Sequence, residues 1–213
     1  MINNNNKMAS KQELAENYQK KTDREHILDA PDTYIGLVEQ DRTDGYTYED
    51  DNLVYKSFDW VPGLYKLFDE GIVNCRDHFI RLQQKIKNKD KNVIPVTRIE
   101  INVDKETGVI SMLNDGNGID IVKHPEHNLW IPEMIFGHLR TSTNYKKTEK
   151  KIVGGKNGFG FKLVLIYSDW GTIETIDHIR GKKYTQRFED NLSVIKKPTI
   201  TTCKNKPYTQ VTF

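Results

Sequence analysis

Cysteine is nearly absent from this 213-residue chain, which carries only Cys75 and Cys203. Two cysteines so far apart build no disulfide framework and match no zinc-binding spacing, so two reduced thiols are expected. Long apolar runs are missing too. No stretch approaches the roughly 20 apolar residues that a membrane-crossing helix needs. The opening MINNNNK lacks the apolar segment of a secretory signal, so an intracellular protein with no membrane partner is expected. Nor is there an excess of one charge. The 32 Lys and Arg stand against 30 Asp and Glu, a net charge of +2, which argues neither for nor against nucleic acid. No internal repeat is present. Hydrophobic residues at 36 % and charged residues at 29 %, with mean hydropathy −0.70, describe a core under a heavily polar surface, with enough chain for one large domain or two small ones.

What is present centres on residues 61–81, VPGLYKLFDEGIVNCRDHFIR. Glu70 and Asn74 stand four apart, on one face of a helix, and that face continues to Asp77 and Arg81. Beside it Leu64, Leu67, Phe68, Gly71, Cys75, Phe79, Leu82 and Ile86 recur at helical spacing for a buried side. Pro62 suits the first turn. A row of polar groups on a helix is ordinarily a solvated face, and two glycine-rich loops downstream give this one its interest.

Residues 1–17 are polar and read as a frayed arm. Thr22 and Glu25 form a capping-box pattern for a short helix that stops before Pro31. Residues 32–39 read as a turn into a strand, 40–52 as a loop or hairpin tip, and 53–60 as a strand. The long helix should fray into the charged linker 85–92. Alternation over 96–103, a turn at Thr107-Gly108 and the apolar 109–113 predict a hairpin. Residues 131–139 read as helix, 140–153 as a polar, basic loop, and 161–167 as an apolar, helical segment. Short strands follow at 172–176, 183–189, 193–196 and 209–213. A few helices against one mostly antiparallel sheet, an α+β domain, is the economical arrangement. His124-Pro-Glu-His127 contains a proline and shows no third ligand, so it reads as surface loop.

The two loops carry the chemistry. Asn114-Asp-Gly-Asn-Gly118 ends a strand, where glycines let the backbone turn sharply and approach a ligand; alone it is an ordinary Asx-Gly turn. Gly154-Gly-Lys-Asn-Gly-Phe-Gly-Phe-Lys162 opens an apolar helical segment, and freed backbone N–H groups there suit phosphate. It is not a P-loop, because Phe161 stands where the lysine must be. Nor is it a dinucleotide fingerprint, which needs a third glycine at Leu163 and a parallel-sheet unit.

The order E-x-x-x-N helix, then glycine turn, then glycine-rich lid resembles the GHKL ATPases. Glu25-His-Ile-Leu28, Pro31-Asp-Thr-Tyr-Ile-Gly36, residues 61–70, Ile135-Phe-Gly137, Thr141-Ser-Thr-Asn-Tyr145 and residues 154–160 narrow the resemblance to the ATPase domain of eukaryotic-type, type IIA DNA topoisomerases. It runs from about residue 18 to residue 213. It implies the Bergerat fold, a two-layer sandwich of a mixed, mostly antiparallel sheet with helices on one face, with the arm at 1–17 and the ATP-binding domain at 18–213. The cofactors implied are ATP and Mg2+. In this family ATP binding dimerises two such domains around a transported DNA duplex, so duplex DNA and a homodimer are the implied partners. The transducer and DNA-cleavage domains are expected to lie outside this sequence, and the fragment alone to be weakly active.

Carried over by resemblance, Glu70 is the general base and Asn74 the Mg2+ ligand. Asn114 contacts adenine and Gly118 lines the base pocket. Ser142, Thr143 and Asn144 reach the ribose and phosphates. Gly155, Lys156, Asn157, Gly158, Phe159, Gly160, Phe161 and Lys162 wrap the triphosphate, with Lys162 the charged anchor. Tyr34 touches nucleotide in a partner subunit. Three positions depart from or vary within the pattern. Asn114 replaces the Asp of most of the superfamily, as in eukaryotic topoisomerase II. Gly71 stands where a larger apolar residue is usual, which suggests a close backbone contact. His78 stands where Asn is frequent. Other GHKL enzymes (chaperone, MutL-like, histidine-kinase-like) and a non-hydrolysing nucleotide-binding module are the competing readings. Asn- and Lys-rich composition fits an AT-rich genome such as that of a large DNA virus. The expected location is nuclear for a cellular source, and a viral factory or virion for a viral one.

Overall fold

A computed structural model describes residues 10–12, 17, 18, 20–141 and 159–213. Helix α1 (Asp23–Asp29) starts with the expected capping box. The Thr22 hydroxyl accepts Glu25 N–H at 3.3 Å, and Thr22 N–H donates to Glu25 Oε2 at 2.7 Å. The expected strand over 32–39 does not form. With Pro31 at the first position, Pro31–Tyr34 instead makes a short helix, α2. Gly36 at φ +90° then turns the chain away.

Strands β1 (Asp41–Glu49) and β2 (Asn52–Trp60) pair antiparallel as a hairpin of their own. Of the loop or hairpin tip expected at 40–52, the hairpin tip forms at residues 50 and 51, and residues 41–49 are strand where a loop was the other reading. Its turn is Asp50-Asp51, both at positive φ, the mirror-type two-residue turn that matches strand twist.

Helix α3 (Pro62–Lys87) follows, with Pro62 in its first turn. Then come β3 (Ile99–Val103), β4 (Ile110–Asp115), α4 (Ile131–Gly137), α5 (Gly160–Ile166), β5 (Trp170–Asp177), β6 (Lys182–Glu189), β7 (Val194–Ile195), β8 (Thr199–Thr202) and β9 (Tyr208–Thr212). The main sheet runs β3-β4-β9-β5-β6, with β7 and β8 both along the outer edge of β6. Every pairing among the described strands is antiparallel. Helices pack on one face of this sheet, α3 on β4 and α5 on α3, giving the two-layer α+β sandwich that was expected. Strand β8 went unread because its Thr-Ile-Thr-Thr lies at the edge and is largely exposed.

Directly paired residues share a sheet face, so Met112, Val211 and Ile173 form one row across β4, β9 and β5. Met112 and Ile173 are 1 % and 0 % exposed, in one cluster with Leu67, Cys75 and Phe161. Gly71 explains how α3 descends onto this row. A Cβ there would stand 2.9 Å from Met112 Cε and closer still to its sulfur. The helix therefore makes the close contact that a mid-helix glycine, worth about 1 kcal/mol less than Ala in helix propensity, suggested. Cys75 and Cys203 are both free thiols. Burial pushes the Cys75 thiol up to about 11, so it is a core residue and no nucleophile at neutral pH. Among the described residues no helix is long and apolar enough to cross a membrane.

Candidate functional site

Two residues along from the Met112 row the same sheet face turns polar. Asn114, Thr209 and Thr175 form the next row across β4, β9 and β5. Asn114 is 6 % exposed and Thr175 fully buried. The Asn114 Nδ2 donates to Asp115 O at 3.1 Å, which turns its amide oxygen away from that carbonyl. The Thr175 hydroxyl accepts Ile119 N–H at 3.0 Å and lies 2.9 Å from the Thr209 hydroxyl and 3.1 Å from Tyr208 O. Nothing in the sequence marks Thr175 or Thr209. They enter the site only because β9 pairs between β4 and β5.

The turn after Asn114 is bound on all sides. The Asp115 carboxylate accepts Thr97 N–H at 2.7 Å, the Thr97 hydroxyl at 2.6 Å and Arg98 N–H at 2.9 Å. Asn117 Oδ1 accepts Ile94 N–H at 2.6 Å. His78, whose role the sequence left open, donates from Nε2 to Asn117 O at 2.8 Å. Burial, with the Arg81 guanidinium nearby, pushes its pKa down to about 4, so His78 is a neutral brace for this turn. Gly118 lies so close to β5 that a Cβ would stand 2.7 Å from Ile176 C, 2.9 Å from Thr175 Oγ1 and inside contact distance of Ile176 O. Only glycine lets the turn lie over the Thr175 end of the row.

Glu70 and Asn74 project from α3 at the expected spacing. Glu70 Oε1 is held by Lys66 Nζ at 2.6 Å, with the carboxylate side chain 20 % exposed. The other oxygen, Oε2, faces Gly160 at the head of α5, 3.5 Å from where a Cβ would be. Lys66 was missed in the sequence, although its i, i+4 relation to Glu70 is a readable signal. The Asn74 Nδ2 donates to Glu70 O at 2.7 Å, which turns its Oδ1 outward from the helix.

At the head of α5, Lys162 is 4 % exposed and its Nζ donates to Thr141 O at 2.7 Å. The Thr141 hydroxyl in turn lies 2.6 Å from Met134 O and 2.8 Å from His138 O. Burial lowers the Lys162 pKa to about 8. Its unfolded counterpart still binds a proton up to about 10.5, so stability should rise with pH between about 8 and 10.5. Below 8 both states are protonated and this gain is lost. Urea unfolding of the wild type and Lys162→Met at pH 7.5 and 10 checks this. The wild type should gain stability relative to the variant at the higher pH, and equal changes in the two would contradict the assignment.

The remaining expected site residues divide. Phe161 is a core side chain, edge-to-face with Phe136 and Phe213 at 5.6 Å each, so only its backbone could serve a phosphate. Phe159 rests on Tyr34 with ring centroids 6.1 Å apart, and the Tyr34 hydroxyl meets His26 Nδ1 at 2.9 Å. Ser142, Thr143, Asn144, Gly155, Lys156, Asn157 and Gly158 lie outside the described residues.

No family model matches the chain. It is 47 % identical over 206 residues to the DNA topoisomerase 2 of Acanthamoeba polyphaga mimivirus, covering 94 % of this chain and 15 % of that protein. To the Saccharomyces cerevisiae DNA topoisomerase 2 it is 44 % identical over 202 residues, 93 % of this chain and 13 % of that protein. The crystal structure of the ATPase region of S. cerevisiae topoisomerase II superposes with a TM-score of 0.83 at 44 % identity, over 94 % of this chain and 51 % of that one. The ATPase and transducer domains of Balamuthia mandrillaris topoisomerase II match with a TM-score of 0.82 at 43 % identity, over 93 % of this chain and 49 % of that one. The chain thus spans about half the length of the ATPase structures and a much smaller share of the curated relatives it matches. With this identity sustained over nearly its whole length, the chain belongs to the eukaryotic-type DNA topoisomerase II family and corresponds to part of that family's ATPase region.

Proposed function

We propose that residues 18–213 bind ATP with Mg2+ and hydrolyse it, with Glu70 as the general base and residues 1–17 as an accessory arm. The observation that carries this is the approach of Glu70 Oε2 to Gly160, with Asn74 one turn further along α3. The second carboxylate oxygen, facing a glycine at a helix start, is where attack on a terminal phosphate could be organised. A planar base fits the Asn114–Thr209–Thr175 row, a buried polar patch in an otherwise apolar sheet face. The outward Oδ1 of Asn74 fits Mg2+, which takes few protein oxygens and completes its shell with phosphates and water. Bound together, nucleotide and ion would supply the γ-phosphoryl group and the charge neutralisation for its transfer to water.

Each residue then has a defined task. Lys66 fixes one Glu70 oxygen, so the other keeps its heading toward Gly160 and can orient a water and take its proton. Asn114 accepts from the base's amino group, while Gly118 lets the turn close over the pocket. Lys162 offers its ammonium to phosphate in place of the Thr141 carbonyl. Gly155 to Gly160 would wrap the phosphates, Ser142, Thr143 and Asn144 would reach ribose and phosphate, and Tyr34 would meet the nucleotide of a partner subunit. In the full-length enzyme, nucleotide-driven dimerisation would capture a DNA duplex for strand passage, in the nucleus or in a viral factory according to the source. The 47 % identity to a viral topoisomerase favours this over a chaperone, a MutL-like protein, a kinase or a passive nucleotide-binding module.

Asn114→Ala tests the pocket. One hydrogen bond to the base is worth about 0.5–1.5 kcal/mol net, so ATP affinity should fall by roughly that amount, and discrimination between ATP and GTP should shrink with it. Calorimetric titration with non-hydrolysable analogues reads both. An unchanged ratio of ATP to GTP affinity would place the base elsewhere.

A further inference from the structure

Three ligand-type side chains meet on the loop between the Asn114–Gly118 turn and α4. The sequence shows two histidines around a proline there, and the fold supplies a third ligand. The ligand atoms of His124, Glu126 and His127 all lie within 4.8 Å of one another. The two imidazoles are stacked, with centroids 4.7 Å apart and planes 23° from parallel. The loop that carries them is braced at its base. Lys123 and Trp130 form a β-bridge, His124 N–H donates to Leu129 O at 2.7 Å, and Asn128 N–H donates to His124 O at 2.9 Å. Asn128 adopts φ +53°, and Pro125 fixes its own φ. The nearby cation, Lys123, is drawn to Asn128 Oδ1 at 3.2 Å and to the Trp130 ring at 5.8 Å.

We propose that His124, Glu126 and His127 form a binding site for a divalent transition-metal ion of the zinc class. Two imidazoles and a carboxylate are a three-ligand set that zinc accepts, with a remaining position left to water. Nitrogen ligands select such an ion over Mg2+, which demands oxygen. The site therefore differs in chemistry from the one proposed at Asn74. Bracing lowers the ordering cost of bringing the ligands together. The main local cost is at His124, whose Nδ1 accepts Glu126 N–H at 3.2 Å. Coordination through either ring nitrogen displaces that donor or moves the ring proton to face it, so one long hydrogen bond is lost. The bound ion would cross-link a turn that runs from Ile121, tied by its N–H to Asp177 Oδ2 at 2.9 Å, into α4.

The test is a zinc titration of the purified, tag-free protein against a chromophoric chelator, repeated with Co2+, whose visible absorption reports the ligand set. One equivalent of zinc with micromolar affinity is expected, together with a Co2+ spectrum of nitrogen and oxygen ligation. His127→Asn should weaken binding by more than about tenfold, Glu126→Gln should weaken it less, and Cys203→Ser should leave it unchanged. Far-UV circular dichroism of the exposed-residue variant His127→Asn should match the wild type. Failure of the wild type to compete for zinc, or wild-type zinc affinity in His127→Asn or His124→Asn, would overturn the proposal. So would a thiolate band in the Co2+ spectrum that disappears in Cys203→Ser.

Discussion

Replacing Glu70 by Gln in the full-length enzyme is expected to leave nucleotide affinity nearly intact and to slow ATP turnover by about 10²–10⁴-fold, the usual contribution of a general base. The substitution keeps the shape, the helix propensity and an oxygen for Lys66 to hold, and removes only the proton acceptor. In the proposed reading, binding rests on other groups: the Asn114 row, the glycines, and the phosphate donors. Single-turnover hydrolysis alongside analogue titration separates the two effects. If affinity fell together with turnover, Glu70 would be holding the pocket's structure. If turnover stayed near normal, another group would be activating the water.

Gly118→Ala is expected to disrupt both fold and pocket, through backbone. The added methyl meets the Ile176 carbonyl and Thr175 Oγ1, and neither lies at the end of a flexible side chain. Overpacking of this kind costs about 1–3 kcal/mol and sometimes more. At about 3 kcal/mol, and 2–4 °C per kcal/mol for a chain of this size, the melting temperature should drop by about 6–12 °C. Nucleotide binding should be lost at temperatures where the variant is still folded, because the turn must lift off β5. Gly71→Ala is the natural control. There the methyl meets the tip of Met112, which can swing aside, and the gain in helix propensity of about 1 kcal/mol offsets part of the strain. Equal stability and equal binding in Gly118→Ala and wild type would mean that the turn does not need its close approach.

Much of this site was legible because it rests on a helix with one buried side. The spacing from Leu67 through Gly71 and Cys75 to Leu82 set the rotation of α3, and with it the direction of Glu70 and Asn74, although Leu64, Phe79 and Ile86, read on the same side, are exposed. The β3–β4 hairpin was legible from its alternation and the Thr107-Gly108 turn, although only β4 has a buried face and Ile99, Ile101 and Val103 of β3 are exposed. Strand β1 was not. Its burial pattern has no fully buried position, and its turn uses Asp-Asp in place of the commoner Asn-Gly, so neither periodicity nor turn chemistry announced it. Short α2 turns on a single feature, Pro31 at a helix start, which reads equally well as a turn. The polar row was illegible in a different way. Thr175 and Thr209 look like ordinary strand threonines, and only pairing across β9, the last strand of the sequence, sets them beside Asn114. The family resemblance named the roles of Glu70, Asn74 and Asn114, but the reason Glu70 points toward Gly160 is local, the Lys66 contact one turn earlier.

The most direct test of the central claim is a crystal structure of this protein with a non-hydrolysable ATP analogue and Mg2+. Difference density is expected for an adenine against Asn114, Thr209 and Thr175, for a metal ion at Asn74 Oδ1, and for a terminal phosphate beside Glu70 Oε2 and Gly160. Density for the nucleotide on the opposite face of the sheet, or a terminal phosphate out of reach of Glu70, would contradict it.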